Sequence, residues 1–178
     1  TYTVTTGSTS LTALTQTIAI AAGAATKLNL SRSSVGTASG AAFTTQPQVT
    51  LQDSGSNTVT TTGTTITATI SSGGTLVGTA TANTVSGVAT FTNLGITGTA
   101  TTSYTITYSS GSLTTATQSI TVSVGAATQL VLTRSSVGTA SGAAFTTQPQ
   151  VTIKDSGGNV LTSDSSTQIT ATISSGGT

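Results

Sequence analysis

The sequence contains no cysteine, histidine, glutamate, methionine or tryptophan. Without cysteine it can form neither a disulfide nor a thiolate metal site. Without histidine and glutamate, general acid–base and nucleophilic catalysis lose their usual groups, because a nucleophile needs a base within reach. The only bases a serine could find are Lys27 and Lys154, and their counterparts elsewhere in the chain are Gln129 and Gln52, so both lysines read as solubilising strand residues. Charge is equally scarce. Four basic and three acidic residues give a net charge of +1, and 4% of the chain is charged against about 25% in an average domain. No field exists to attract nucleic acid or an anionic membrane surface. No apolar run approaches the roughly 18 residues that a spanning helix needs.

The chain is instead rich in hydroxyls, with 48 Thr and 26 Ser among 178 residues, while 34% of residues are hydrophobic. Disorder usually combines low hydrophobicity with high net charge, and neither condition is met. Thr, Val and Ile favour extended backbone because β-branching stiffens χ1 and suits a pleated surface. Good helix formers are few. The composition therefore predicts an all-β fold.

Internal repetition sets the organisation. The nineteen residues RSSVGTASGAAFTTQPQVT run from Arg32 to Thr50 and return unchanged from Arg134 to Thr152, 102 positions later. The match extends on both sides. GAATKLNL at Gly23 returns as GAATQLVL at Gly125, LQDSGSN at Leu51 as IKDSGGN at Ile153, and ITATISSGGT at Ile66 as the same ten residues at Ile169. The N-terminal TYTVTTGSTSLTALTQTIAIAAGAAT matches SYTITYSSGSLTTATQSITVSVGAAT from Ser103 at an offset of 102, whereas the Ile66 match is offset by 103, one residue having been inserted between Asn159 and Ile169. A period of 102 residues is too long for a solenoid unit and fits a β-sandwich domain of about 100 residues. Residues 1–22 thus read as the last strands of one repeat, 23–124 as a complete repeat, and 125–178 as the first half of a third. The whole chain is expected to be a window on a longer array.

Within the complete repeat, alternation predicts seven short strands, at Lys27–Ser31, Gln48–Gln52, Thr65–Ser71, Leu76–Thr81, Val88–Thr92, Ser103–Ser109 and Ser119–Val124. Glycines at 55, 73, 74 and 87 supply turn positions. Seven such strands with regular turns are the pattern of an immunoglobulin-like sandwich. Tyr104 begins the sixth strand, two residues before Ile106, where a tyrosine corner would bond its hydroxyl to backbone a few residues upstream.

The segments Asp53–Asn57 and Asp155–Asn159 invite a calcium reading, with Asp155 and Asp164 as the candidate pair. Ca²⁺ takes six to eight oxygens, usually several from carboxylates, and one Asp per loop is too few. The favoured reading is structural: Asp53 with Asn57, and Asp155 with Asn159, form turns in which the carboxylate accepts backbone N–H groups. No catalytic residue, metal or cofactor is expected. Outward threonines such as Thr65, Thr67 and Thr69 read as strand surface, since twisted strands do not make the flat array that an ice-binding face needs.

The order VTLQDSGSN … TATISSGGTL … SGVATFTNLGI … SYTITYSSG … SITV resembles bacterial Ig-like domains of the invasin/intimin group 1 type. It covers the full repeat and recurs in both flanking segments, although Asp53 is followed by Ser-Gly-Ser-Asn rather than a plain D-x-x-G-N. The resemblance implies an extracellular, cell-surface protein in which the repeats form a semi-rigid stalk or spacer of an adhesin, without enzymatic activity. Its partners would be neighbouring repeats of the same chain. Near-neutrality would also permit lateral self-association, and hence a filament, sheath or surface-layer subunit as the alternative. Completion of the C-terminal half-repeat by the N-terminal strands of another copy is not expected, because the counterparts of residues 76–102 would be missing.

Overall fold

A computed structural model describes residues 2–9, 11–138 and 140–174. The described chain is all-β. β1 (Tyr2–Ser8) and β2 (Leu11–Ile18) form an antiparallel hairpin, Tyr2 opposite Ile18. The central region follows with β3 (Lys27–Arg32), β4 (Ala41–Ala42), β5 (Gln48–Gln52), β6 (Thr65–Ile70), β7 (Thr75–Val77), β8 (Thr81–Val85), β9 (Val88–Thr90), β10 (Gly95–Thr97), β11 (Ser103–Ser109) and β12 (Ala116–Thr121). The last described pair is β13 (Gln129–Arg134) with β14 (Gln150–Lys154), antiparallel with the register of β3 and β5.

The central strands run in the order β12-β11-β6-β8-β9-β5-β3. β8 serves both layers of the sandwich. Thr81–Asn83 pair with β6, while Thr84 and Val85 pair with β9. The first and last strands also meet. Thr114 and Lys27 form a parallel bridge, and Leu28 N–H donates to the Thr114 carbonyl at 2.8 Å. This single bridge, just before β12, ties the two edges together at one point. Between the layers lie Leu51, Ile66, Phe91, Leu94, Ile96 and Ile106, all fully enclosed. The ring of Phe91 stands 5.6 Å from that of Tyr108, a tilted arrangement that suits the aromatic quadrupoles.

The strands expected at 48–52 and 103–109 have those bounds, and three others differ by a residue or two at an end. Two expectations need correction. The strand placed at Leu76–Thr81 is two strands, β7 and β8, broken at Gly78. That residue has φ 78° and lies so close to Asn93 that a Cβ would sit 2.0 Å from its carbonyl oxygen. The strand placed at Ser119–Val124 instead begins at Ala116, because β12 takes its register from β11, Tyr108 opposite Ala116. The short β4 and β10 escaped notice in segments of Gly, Ala and Thr, where alternation has too few residues to register. The Ser86-Gly87 turn has positive φ at both residues, as the tight two-residue hairpin requires.

Candidate junction between repeats

The repeated nineteen-residue stretch laces distant parts of the sandwich together through side-chain amides and hydroxyls. Gln46 donates to the carbonyls of Phe43 and Leu94 at 2.8 and 3.0 Å and accepts from Leu94 N–H at 2.9 Å. Ser34 is clamped through both its backbone groups by Gln118, each bond 2.9 Å. The Arg32 guanidinium donates to the Gln46 carbonyl at 2.8 Å. Ser39 is buried and donates to the Gly98 carbonyl at 3.2 Å. In a surface with few charges, these bonds, all neutral but that of Arg32, fix the loops.

Tyr104 is buried, and its hydroxyl accepts from Thr99 N–H at 3.0 Å, five residues upstream. The ring passes so near Gly98 that a Cβ there would come within 2.8 Å of it. The tyrosine therefore sets the backbone of 98–100, with the Gly98 carbonyl and the Ala100 N–H on either side of its anchor point.

The Asp–Asn loops are built alike. Asp53 accepts from Gly23 N–H (2.9 Å), Asn57 N–H (2.8 Å) and the Asn57 amide (3.2 and 3.0 Å). The Asn57 side chain, then Gly23 and the Asn57 backbone, hold its pKa at about 2, below the ordinary 3.8. Asp155 accepts from Gly125 N–H (2.8 Å), Gly157 N–H and Asn159 N–H (both 2.9 Å), and the Asn159 amide (3.0 and 2.9 Å). Burial pushes the Asp155 carboxyl up, but the donors from Gly125, Asn159 and Gly157 outweigh it and leave the pKa below its ordinary value. A carboxylate ringed by N–H donors turns no free lone pair toward a cation, which argues against the calcium reading of Asp155. Asp164 caps its own turn instead, accepting from Ser166 N–H and Thr167 N–H at 3.0 Å. Among the described residues no group of three acidic residues gathers as a metal site would require.

The second loop does more than hold itself. The Asn159 amide also donates to the Gly98 carbonyl at 2.9 Å, and its Oδ1 accepts from Ala100 N–H at 2.7 Å. These two bonds cross from residues 125–174 to the preceding sandwich. The fit is close: a Cβ on Gly157 would lie 2.4 Å from the Gly98 oxygen, one on Gly125 1.9 Å from the Ser39 oxygen, and one on Gly40 2.1 Å from the Ser156 hydroxyl. The loop is a plug, and Ser39, Gly40, Gly98 and Ala100 form its socket. Sequence reasoning singled out Asp155 and Asn159 but assigned them only to their own turn. It missed the four socket residues, whose sole signal was small size and, for Ser39-Gly40, a place in the duplicated stretch.

No protein-family model matches the chain, and no curated protein matches it. Among solved structures, the chain is similar to a β-glucuronidase from Parabacteroides merdae, at 16% identity and a TM-score of 0.41 over 62% of this chain and 15% of that one. It is also similar to a glycosyl hydrolase family 2 member from Bacteroides cellulosilyticus, at 16% identity and a TM-score of 0.46 over 62% of this chain and 15% of that one. The chain thus spans a small share of those enzymes.

Proposed function

We propose that this chain is a load-bearing repeat region of an extracellular bacterial surface protein, a semi-rigid stalk or spacer that carries no catalysis of its own. The observation that supports it best is the clasp of Asn159 on Gly98 and Ala100. The connection from Val122 to Gly125 is short, and Ser123 pairs with Thr37 and Ser39 along it. A connection this short that is hydrogen-bonded along its length, with a plug seated at its end, leaves little freedom to bend. The composition agrees: a surface of neutral hydroxyls and a chain without His, Cys or Glu suit a spacer better than a reaction centre. Among the described residues no helix is long and apolar enough to cross a membrane.

Residual dipolar couplings measured on residues 23–124 and 125–174 test the stiffness. One common alignment tensor is expected, and two independent tensors would overturn the stalk reading. Antibody labelling of intact producing cells tests the location: epitopes within 23–124 should be reached without permeabilisation, and an epitope reached only after lysis would rule out a surface stalk.

A further inference from the structure

The loop Asp53–Asn57 shares the Asp–Asn bonds of Asp155–Asn159, though not the Gly157 N–H bond, and it lacks that loop's setting. Ser54, Gly55, Ser56 and Asn57 are exposed, whereas Gly157 and Asn159 are half-buried against the socket. No hydrogen bond from the described residues reaches Asn57 Oδ1, the atom whose counterpart holds Ala100.

Two glycines carry the argument further. Gly125 and Gly157 must lack a side chain because Ser39 and Gly98 occupy the space. Their counterparts, Gly23 and Gly55, meet no such demand. A Cβ on Gly23 would touch Asp53 at 3.7 Å, an ordinary contact, and one on Gly55 would meet only the loop's own Asn57 and Asp53 at 3.1 and 3.4 Å. Neither glycine has a positive φ. Glycine at both positions is explained if a second socket closes over them as the first closes over Gly125 and Gly157. Ser54, the counterpart of Ser156, would then face a Ser39-Gly40 pair.

We infer that Asp53–Asn57 is a docking plug whose partner is another copy of the 102-residue repeat on its N-terminal side, engaged through that copy's counterparts of Ser39, Gly40, Gly98 and Ala100. The inference rests on the stalk reading for its partner, and it makes the clasp directional: each repeat offers its plug backward and its socket forward. The recognition is neutral, a carbonyl and an N–H two residues apart reading one carboxamide, so it is insensitive to salt in a way that ion-pair docking is not.

The test extends the chain by placing a copy of residues 23–102 directly before Thr1, which supplies a second socket in register. Amide exchange is followed at Ala100 and at its inserted counterpart, with Gly55→Ala and Gly157→Ala made separately. Gly55→Ala adds a methyl where the socket would close, 3.1 Å from Asn57 Nδ2 and 3.4 Å from Asp53 Oδ1, so these side chains need to give only a few tenths of an ångström. It is expected to speed exchange at the inserted Ala100 roughly tenfold, the worth of one lost hydrogen bond, and to leave the original Ala100 untouched. Gly157→Ala should do the reverse. Gly23 N–H, which reports the loop itself, should stay protected in both variants. If Gly55→Ala changes nothing while Gly157→Ala frees Ala100, this inference fails and the stalk reading stands. If the two segments reorient freely even without substitution, the stalk reading fails first.

Discussion

Asp53–Asn57 and Asp155–Asn159 differ at one residue, Ser56 against Gly158, yet one loop faces solvent and the other seals a junction. Ser56 and Gly158 share the left-handed conformation, with φ 67° and 80°. The turn is thus a local property of five residues, while docking belongs to what lies opposite. The contrast holds on a larger scale. Tyr104 is 4% exposed and its counterpart Tyr2 64%; Phe43 is 3% exposed and Phe145 44%. The strands β3 and β5 recur as β13 and β14, but the identical ITATI is strand β6 at Ile66–Ile70 and forms no strand at Ile169–Ile173, so pairing as well as burial follows from strands far along the chain. Leu28, Val49 and Leu51 of β3 and β5 share one buried cluster with Tyr104, Ile106, Tyr108 and Ile120 of β11 and β12, whereas Leu130, Leu132 and Val151 of β13 and β14 are exposed.

The largest break in this comparison should come from truncating the two phenylalanines. Phe43→Ala removes a ring enclosed beside Leu94 and is expected to cost about 3–5 kcal/mol, transfer and cavity terms together. Phe145→Ala removes a ring already half in water and should cost under about 1 kcal/mol. Urea unfolding of the central sandwich, followed by tyrosine fluorescence from Tyr104 and Tyr108, reads both. Equal losses would mean that residues 125–174 close a core of their own, and the contrast between the regions would disappear.

The glycines of the two loops come next. Gly157→Ala drives a methyl against the Gly98 oxygen and the Ser39 hydroxyl, at 2.4 and 2.5 Å. Backbone on one side cannot move aside cheaply, so the junction should lose about 1–3 kcal/mol, as overpacked sites do. Gly55→Ala in the same chain meets only the Asn57 and Asp53 side chains and should stay within about 0.5 kcal/mol of the parent. Amide exchange at Ala100 separates the two. A junction that tolerates Gly157→Ala would show that the plug is only loosely seated.

Much of the fold was legible because it is written locally. Alternation in QVTLQ and SYTITYS located β5 and β11, and Gly87 marked a turn. The duplicated stretch gave the period. What could not be read were the features that depend on meeting. β4 and β10 are two and three residues long and exist only through pairing, β10 lying between β4 and β7. Gly78 looks like any turn glycine until Asn93 is seen against it. Asp155 and Asn159 were identified as a turn, and the turn is there. Nothing in DSGGN distinguishes a loop that docks from one that does not, since DSGSN forms the same bonds from the Asn amide, the Asn N–H and the preceding glycine N–H. Gly98 and Ala100 carry no side-chain chemistry at all: they contribute a carbonyl and an N–H, which every residue has, on a backbone anchored between them by the Thr99 N–H bond to Tyr104.

The smallest and most local effect should appear in acid. The folded pKa of Asp53 is about 2 against an ordinary 3.8, chiefly through the Asn57 side chain and the Gly23 N–H. A carboxyl whose pKa falls on folding stabilises the folded state fully above its unfolded pKa, and that contribution fades as pH drops toward the folded value. Asp53 should therefore hold its loop unchanged down to about pH 4 and release it between pH 4 and 2. Asp155 is lowered as well, with burial opposing the donors, so its loop should also outlast the ordinary carboxylate range. The consequences differ. Protonating Asp53 should free only Gly23 and Asn57, whereas protonating Asp155 should also loosen Asn159 and, through it, Ala100. Carbon-13 titration of the two carboxyls with parallel amide protection at Gly23, Gly125 and Ala100 distinguishes these events. An Asp53 carboxyl titrating near 3.8 would mean that the donors do not hold it, and a release of Ala100 in step with Asp53 rather than Asp155 would mean that the two loops are not independent.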